Sequence, residues 1–292
     1  MKSLPFSINV ILIGNLTLSV NFDCMATINI IPMSGKGTRF ADVGYLLPKP
    51  LIPVSGKSMI LKAIESMPEA DRWIFIVRKE HITDYSIDVL IKNKLPHAEI
   101  IIDENPVGQA STCMLAMPHV KHDDSLFIAA CDNAFLYDKQ KYQNLVSDIS
   151  IDSIVWTFTD DPLLEVSPKS WGWIKLCDDQ MTIDTMSVKV PVSENPRHDH
   201  AVVATFFFRK AKDFIDAFAL MKEEEYKING EYYVDSMPIF LNKLGKKSVI
   251  FDVDLYVGWG KPSDLYTYER IEYSFSIGKL RDPLWRAYFS LK

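Results

Sequence analysis

The stretch Ile31-Pro-Met-Ser-Gly-Lys-Gly-Thr-Arg-Phe40 follows an uncharged, isoleucine-rich segment and is followed by Pro48-Lys49-Pro50. Glycines placed directly after a strand let backbone N–H groups approach an anion, and Arg39 and Lys49 bring two cations to the same concavity. Polyphosphate binding is the chemistry implied. The segment is not a P-loop, because GxxxxGK[ST] is absent, and Gly35-x-Gly37 lacks the third glycine of a dinucleotide fingerprint.

Outward from this segment, apolar runs alternate with amphipathic stretches, the sequence form of βα units around a largely parallel sheet. Strands are expected at 28–32, 73–77, 99–102, 126–130 and 153–158, with helices at 59–66, 86–94 and 111–117 between them. Past Asp160 the runs 172–176, 182–187 and 201–208 are short and separated by polar, Pro-containing loops, which predicts a small antiparallel insertion or lid. Helical spacing resumes at 211–225, 234–244 and 263–275, around a further strand at 248–253. The fold class is thus α/β, a doubly wound, mostly parallel sheet, with one catalytic-sized domain over residues 25–270.

The composition agrees with this frame. Of 292 residues, 48% are hydrophobic and 24% charged, which supplies a core and excludes disorder. The formal net charge of −6 lacks the electrostatic footprint of a nucleic-acid binder. Cys24, Cys113, Cys131 and Cys177 form no CxxC pair, so neither a disulfide framework nor a structural zinc is expected, and a reducing cytoplasm fits. Residues 5–22 are nearly uncharged. Asn9, Asn15 and Asn21 argue against a membrane span, and no small-x-small cleavage site precedes Asp23, so residues 1–24 are read as an upstream extension with Met25 as the natural start. The tail 271–292, aromatic and basic from Arg281 to Phe289, is expected to dock on the domain or on a second copy of the chain.

The motifs occur in a fixed order: Gly35-Lys-Gly-Thr-Arg39, Pro48-Lys49-Pro50, Gly56-Lys57-Ser58, Gly108-Gln109-Ala110, Ala130-Cys131-Asp132, Lys189 in Val-Lys-Val-Pro, and Trp259-Gly260-Lys261-Pro262. In this order and spacing the chain resembles the nucleotidyltransferases that make nucleotide-activated sugars, over nearly all of residues 25–270. The resemblance implies a Rossmann-like fold of the type shared with GT-A glycosyltransferases. It also implies a Mg²⁺-dependent reaction in which a phosphate oxygen of an acceptor, most simply a sugar 1-phosphate, attacks the α-phosphorus of an NTP. Carried over by residue, Met33, Ser34, Gly35, Lys36, Gly37 and Thr38 would cradle the nucleotide phosphates with Arg39, and Lys49 would steady the triphosphate. Gly108 and Gln109 would meet the base, Asp132 would hold the metal, and Gly172 and Lys189 would receive the acceptor.

Two positions depart from the family pattern. Where relatives carry a second metal-binding aspartate the chain has Gly258, so Asp254, or Asp252 on the same strand face, becomes the expected substitute. Where a glutamate often precedes the lysine the chain has Val188, which implies a changed acceptor. A glycosyltransferase using a nucleotide sugar, and a nucleotide-binding protein without turnover, are the alternative readings. His198-Asp-His200 reads as turn chemistry rather than a metal pair.

Overall fold

The computed structural model describes residues 25–276. The expectations for residues 1–24 and for the tail beyond 276 lie outside the described residues.

Strands form where β-branched and aromatic residues run together. They are β1 (Thr27–Pro32), a two-residue hairpin of β2 (Pro53–Val54) and β3 (Lys57–Ser58), β4 (Arg72–Val77), β5 (Glu99–Ile102) and β6 (Ser125–Ala129). After these come β7 (Asn133–Leu136), β8 (Ser153–Phe158), β9 (Gly172–Leu176), β10 (Ile183–Val188), β11 (His200–Phe208), β12 (Ser248–Asp252) and β13 (Leu255–Gly258). The main sheet runs β5, β4, β1, β6, β11, β8, β12. β1, β4, β5 and β6 are mutually parallel, β12 is parallel to β8, and β11 is antiparallel to both its neighbours. Period-2 alternation sends Ile28 and Ile30, with Ile74, Ile76 and Ile128, to one face, against Ala110, Phe214 and Phe240. Ile31, Phe75, Val77 and Phe127 go to the other, against Ile60, Ile91 and Tyr142. Both faces are covered, as a parallel sheet requires. Among the described residues no helix is long and apolar enough to cross a membrane.

The structure redraws the expected insertion. β9 and β10 form an antiparallel hairpin, but the run 201–208 leaves it to become a central strand of the main sheet. The physical reason is in its residues: all but two positions of His200–Phe208 are buried, so the strand needs cover on both faces and neighbours on both edges. β11 serves two partners by bending. His200 and Ala201 pair with β9, whereas Thr205–Phe208 pair with β6. Between them the register against β8 shifts, and Ala204 takes a left-handed φ of 56°, a bulge that re-aims the strand.

A second ribbon, β7 with β13, antiparallel, follows directly from the end of β6. Behind it Trp156, fully buried, meets the rings of Phe127, Phe135, Tyr137, Tyr142 and Phe251 at centroid distances of 4.7–5.4 Å. Trp156→Ala is expected to cost about 3–5 kcal/mol, read as a lower urea midpoint at unchanged slope. Trp156→Phe keeps a ring and removes an indole N–H that has no partner, and is expected to cost less.

Candidate active site

β1 leaves the sheet at Pro32, and the Met33 N–H still donates to the Ile76 carbonyl at 2.9 Å. The next side chain is engaged within the protein: Ser34, buried, donates through Oγ to Asp103 Oδ2 at 2.7 Å. Thr112 Oγ1 donates to the same oxygen at 2.7 Å, and the Asn105 N–H donates to Asp103 Oδ1 at 3.1 Å. A satisfied buried carboxylate thus ties the glycine loop to the helix Gln109–Met114. Asp103 escaped sequence reasoning, although its place directly after an apolar strand on a parallel sheet is a usable signal.

Two glycines of the site have a steric reason and one has none. Gly37 has φ 62°, and a Cβ there would lie 3.1 Å from Lys49 Cβ, so the loop and the Pro48-Lys49-Pro50 turn are in contact. A Cβ on Gly35 would meet nothing within 4 Å. Gly108 has φ 102°, and its Cβ would fall 2.5 Å from the backbone N and 2.6 Å from the backbone O of Tyr232. The Ala110 N–H donates to that same Tyr232 carbonyl at 3.0 Å. The segment around Tyr232 is a second feature that sequence reading missed.

These elements enclose a cleft of about 670 Å³. Met33 to Arg39, Lys49, Gly108, Gln109 and Asp132 all line it, joined by Glu231 and Gly260. Opposite the glycine loop Asp132 follows β6, and its carbonyl accepts from the Trp259 N–H at 2.8 Å. Its carboxylate is in ion-pair contact with Lys49, and a Cβ on Gly260 would stand 3.0 Å from Oδ2. Burial is the largest single influence on the Lys49 ammonium and pushes it down, but the charge and hydrogen bond of Asp132, with a contribution from Cys131, together exceed it, and the net shift is upward, with Arg39 opposing. Lys49 therefore stays a cation through the neutral range. Asp264, half-buried in the first turn of the helix Pro262–Ser276, is the second carboxylate in electrostatic reach of Asp132. Burial raises its pKa and the Asp132 charge adds to the rise, while Arg39 and Lys261 oppose it.

Gly172 and Lys189 do not line that cleft. They face each other across the β9–β10 hairpin, where Val188 pairs with Gly172 and the Lys189 N–H donates to the Trp171 carbonyl at 2.8 Å. Lys189 has a left-handed φ of 66°, and its Nζ lies 3.3 Å from the Tyr233 hydroxyl. Trp173 is fully buried and Trp171 packs on Phe158 and Tyr256, so both tryptophans are packing residues.

The second carboxylate expected from Asp254 is not brought to Asp132. Asp254 is exposed, and its N–H donates to the Leu136 carbonyl, at the far end of the β7–β13 ribbon. That is about 13 Å from Asp132 at about 3.3 Å per residue. Asp252 instead accepts from Thr157 at 2.5 Å and pairs with His200 at 2.9 Å. The space an aspartate at 258 would use is taken by Tyr256, whose hydroxyl lies 2.6 Å from the Cβ position of Gly258 and whose ring stacks on Phe158. His198 pairs with Asp160 at 2.7 Å, so the two histidines go to separate carboxylates. Among the described residues no group of three His, Cys, Asp or Glu side chains could hold a metal. Cys131 is buried and its thiol is pushed up to about 12, which makes it inert.

A family model described as nucleotidyl transferase matches residues 28–246. The chain is 28% identical over 166 residues to a bifunctional protein GlmU of Methanococcus maripaludis, covering 54% of this chain and 34% of that one. It is 29% identical over 143 residues to a mannose-1-phosphate guanyltransferase of Candida albicans, covering 46% and 38%. The match thus spans about a third of the length of these curated relatives. Among solved structures, a nucleoside-diphosphate-sugar pyrophosphorylase from Vibrio cholerae superposes with a TM-score of 0.66 at 19% identity, over 83% of this chain and 99% of that one.

Two stability measurements check the geometry. Gly108→Ala forces a Cβ into backbone and is expected to lower Tm by several degrees, whereas Gly35→Ala leaves Tm unchanged. Burial lifts the Asp235 carboxyl to about 6. The native state then holds its proton more tightly than the unfolded chain, so this group's contribution to stability falls as pH rises from the ordinary carboxylate range through 6. Asp235→Asn is expected to gain on the wild type in Tm between pH 4 and 7, and to run parallel to it above.

Proposed function

We propose, from the premise that this chain belongs to the nucleotidyl transferase family, that it joins an NTP to a phosphorylated small molecule, most simply a sugar 1-phosphate, and releases pyrophosphate. The observation that carries this reading is the meeting of the Gly35–Gly37 loop, Arg39, Lys49 and Asp132 in one cleft. The Gly35–Gly37 amides and Arg39 would hold the β- and γ-phosphates, and Lys49 would sit at the α-phosphorus. Gly108, Gln109 and Glu231 border the part of the cleft left for ribose and base. Lys189 would receive the acceptor phosphate.

In the reaction a phosphate oxygen of the acceptor forms a bond to the α-phosphorus. The bond from that phosphorus to the bridging oxygen breaks, and its electron pair leaves on pyrophosphate. In such transfers the protein's work is alignment and neutralisation of the leaving charge. Backbone N–H donors with Arg39 on the β,γ side, and Lys49 at the α-phosphorus, would meet that requirement. Lys49 holds its proton because Asp132 faces it.

The oxygen donors present fit Mg²⁺, which takes one or two carboxylates and completes its shell with phosphate oxygens and water. Asp132 would hold it, with Asp264 as the further carboxylate that feels the Asp132 charge, and when bound the ion would offset phosphate charge.

Pyrophosphate release, assayed with each of four NTPs against a panel of phosphorylated acceptors, tests the reading. At least one pair is expected to turn over, and Arg39→Ala and Asp132→Asn are each expected to reduce kcat by about 10²-fold or more. EDTA is expected to stop turnover and Mg²⁺ to restore it. Well-folded protein giving no pyrophosphate with any pair, or giving NDP from a nucleotide sugar, overturns the proposal.

A further inference from the structure

The acceptor half of the site contains a carboxylate to which the reaction above assigns no task. Asp235 lies in the turn Val234–Ser236, just ahead of the helix Met237–Lys243. Its Oδ2 stands 2.6 Å from the position a Cβ on Gly172 would occupy, so the missing side chain at 172 is the room Asp235 uses. Val188 is paired with Gly172 from the other side, and Lys189, next along the chain, reaches Tyr233 Oη at 3.3 Å. One carboxylate thus lies against the glycine, and an ammonium and a phenol, paired with each other, belong to the residues next to Val188 and Asp235 on the same hairpin and turn.

The carboxylate is half-buried, and apart from its own backbone N–H no hydrogen-bond donor of a described residue reaches it. The charged group facing it is Lys189. A carboxylate withdrawn from water without donors costs stability, and such a cost is tolerated where a ligand completes the group. Where the family pattern often has a glutamate the chain has Val188, and an aliphatic side chain has nothing to accept a hydrogen bond. Asp235 supplies an acceptor oxygen beside Gly172 from a different element.

Resting on the acceptor-binding reading of Gly172 and Lys189, we infer that Asp235 is a specificity-determining residue that accepts a hydrogen bond from a hydroxyl of the acceptor, which makes the acceptor a polyhydroxylated phosphate ester. The neighbouring cation sharpens the choice. A hydroxyl is both donor and acceptor, so it matches a carboxylate that accepts beside an ammonium and a phenol that donate. A quaternary ammonium group matches only the carboxylate and meets Lys189 as a like charge. Trp171, the exposed-edge aromatic that could have enclosed such a cation, is already packed on Phe158 and Tyr256.

The test uses the full chain with glucose 1-phosphate, mannose 1-phosphate, their monodeoxy analogues and phosphocholine, in wild type, Asp235→Asn and Asp235→Ala. In the wild type, removal of one particular hydroxyl is expected to lower kcat/KM about 10- to 100-fold, the size of a hydrogen bond to a charged group. In Asp235→Ala the preference for that hydroxyl is expected to fall to within about 3-fold, Asp235→Asn is expected to retain part of it, and NTP affinity by calorimetry is expected to be unchanged. A merely structural role would slow all acceptors alike and leave the preference intact. Full discrimination retained in Asp235→Ala, or preference of the wild type for phosphocholine, overturns the inference. If no acceptor turns over, the proposed function fails separately, and calorimetry of the same sugar phosphates decides this point. Tighter binding to wild type than to Asp235→Ala supports it, and equal or absent binding overturns it.

Discussion

The parallel pairing of β1 with β6, which sets Ile30 beside Ile128, is the constraint on which the site depends. Two adjacent parallel strands end at the same edge, so the backbones beyond Pro32 and Ala129 leave the sheet side by side. In open α/β sheets that edge is where ligands bind. Here it puts a loop of backbone N–H donors and a carboxylate on opposite walls of one cleft, and the Lys49–Asp132 ion pair closes the gap between them. The pair is partly withdrawn from water, and removing either partner leaves the other charge uncompensated. The same contact that organises the site therefore keeps Lys49 charged.

The second organising contact runs through the segment Glu231–Asp235. Its backbone at Tyr232 lies against Gly108 and receives the Ala110 N–H. Glu231 borders the nucleotide cleft, and two residues on Tyr233 meets Lys189. One five-residue segment thus touches both the cleft and the β9–β10 hairpin. The bulge at Ala204 does similar work within the sheet, since β11 is bound to β6 below the bend and to β9 above it, and the Asn133 side chain donates to the Val203 carbonyl at 2.6 Å. A left-handed alanine in mid-strand costs conformational energy, and the two sets of pairings hold it there.

The departures from the family pattern form a consistent set. Gly258 is accompanied by Tyr256 filling the space beside it and by Asp264 in the following helix, whose carboxyl feels the Asp132 charge. Val188 is accompanied by Asp235 approaching Gly172 from the far side. In both places the carboxylate of the local motif is missing and another stands near by, delivered by a different element.

Local chemistry was enough to make much of this legible. The alternation of buried runs with amphipathic helices follows from side-chain periods of 2 and 3.6, which a linear chain displays directly, and strands such as Ser153–Phe158 and Gly172–Leu176 fall where their residues put them. The glycine loop with Arg39, Lys49 and Asp132 was readable because each belongs to a short motif whose spacing carries its purpose. Asp103, Asp235 and Asp264 were not readable, because each meets a partner 63 to 132 residues away in sequence, Thr112 aside, and nothing local distinguishes it from a surface carboxylate. Asp254 failed for the same reason in reverse: sharing a strand face with residue 258 says nothing of where along the ribbon Asp132 lies. By itself the sequence determined the layers, the glycine loop and the main charged groups, since these depend on nearest neighbours along the chain. The central place of β11, the link between the cleft and the β9–β10 hairpin through Glu231–Asp235, and the choice among carboxylates were decided only by the tertiary structure, because register and close approach are properties of the packed chain.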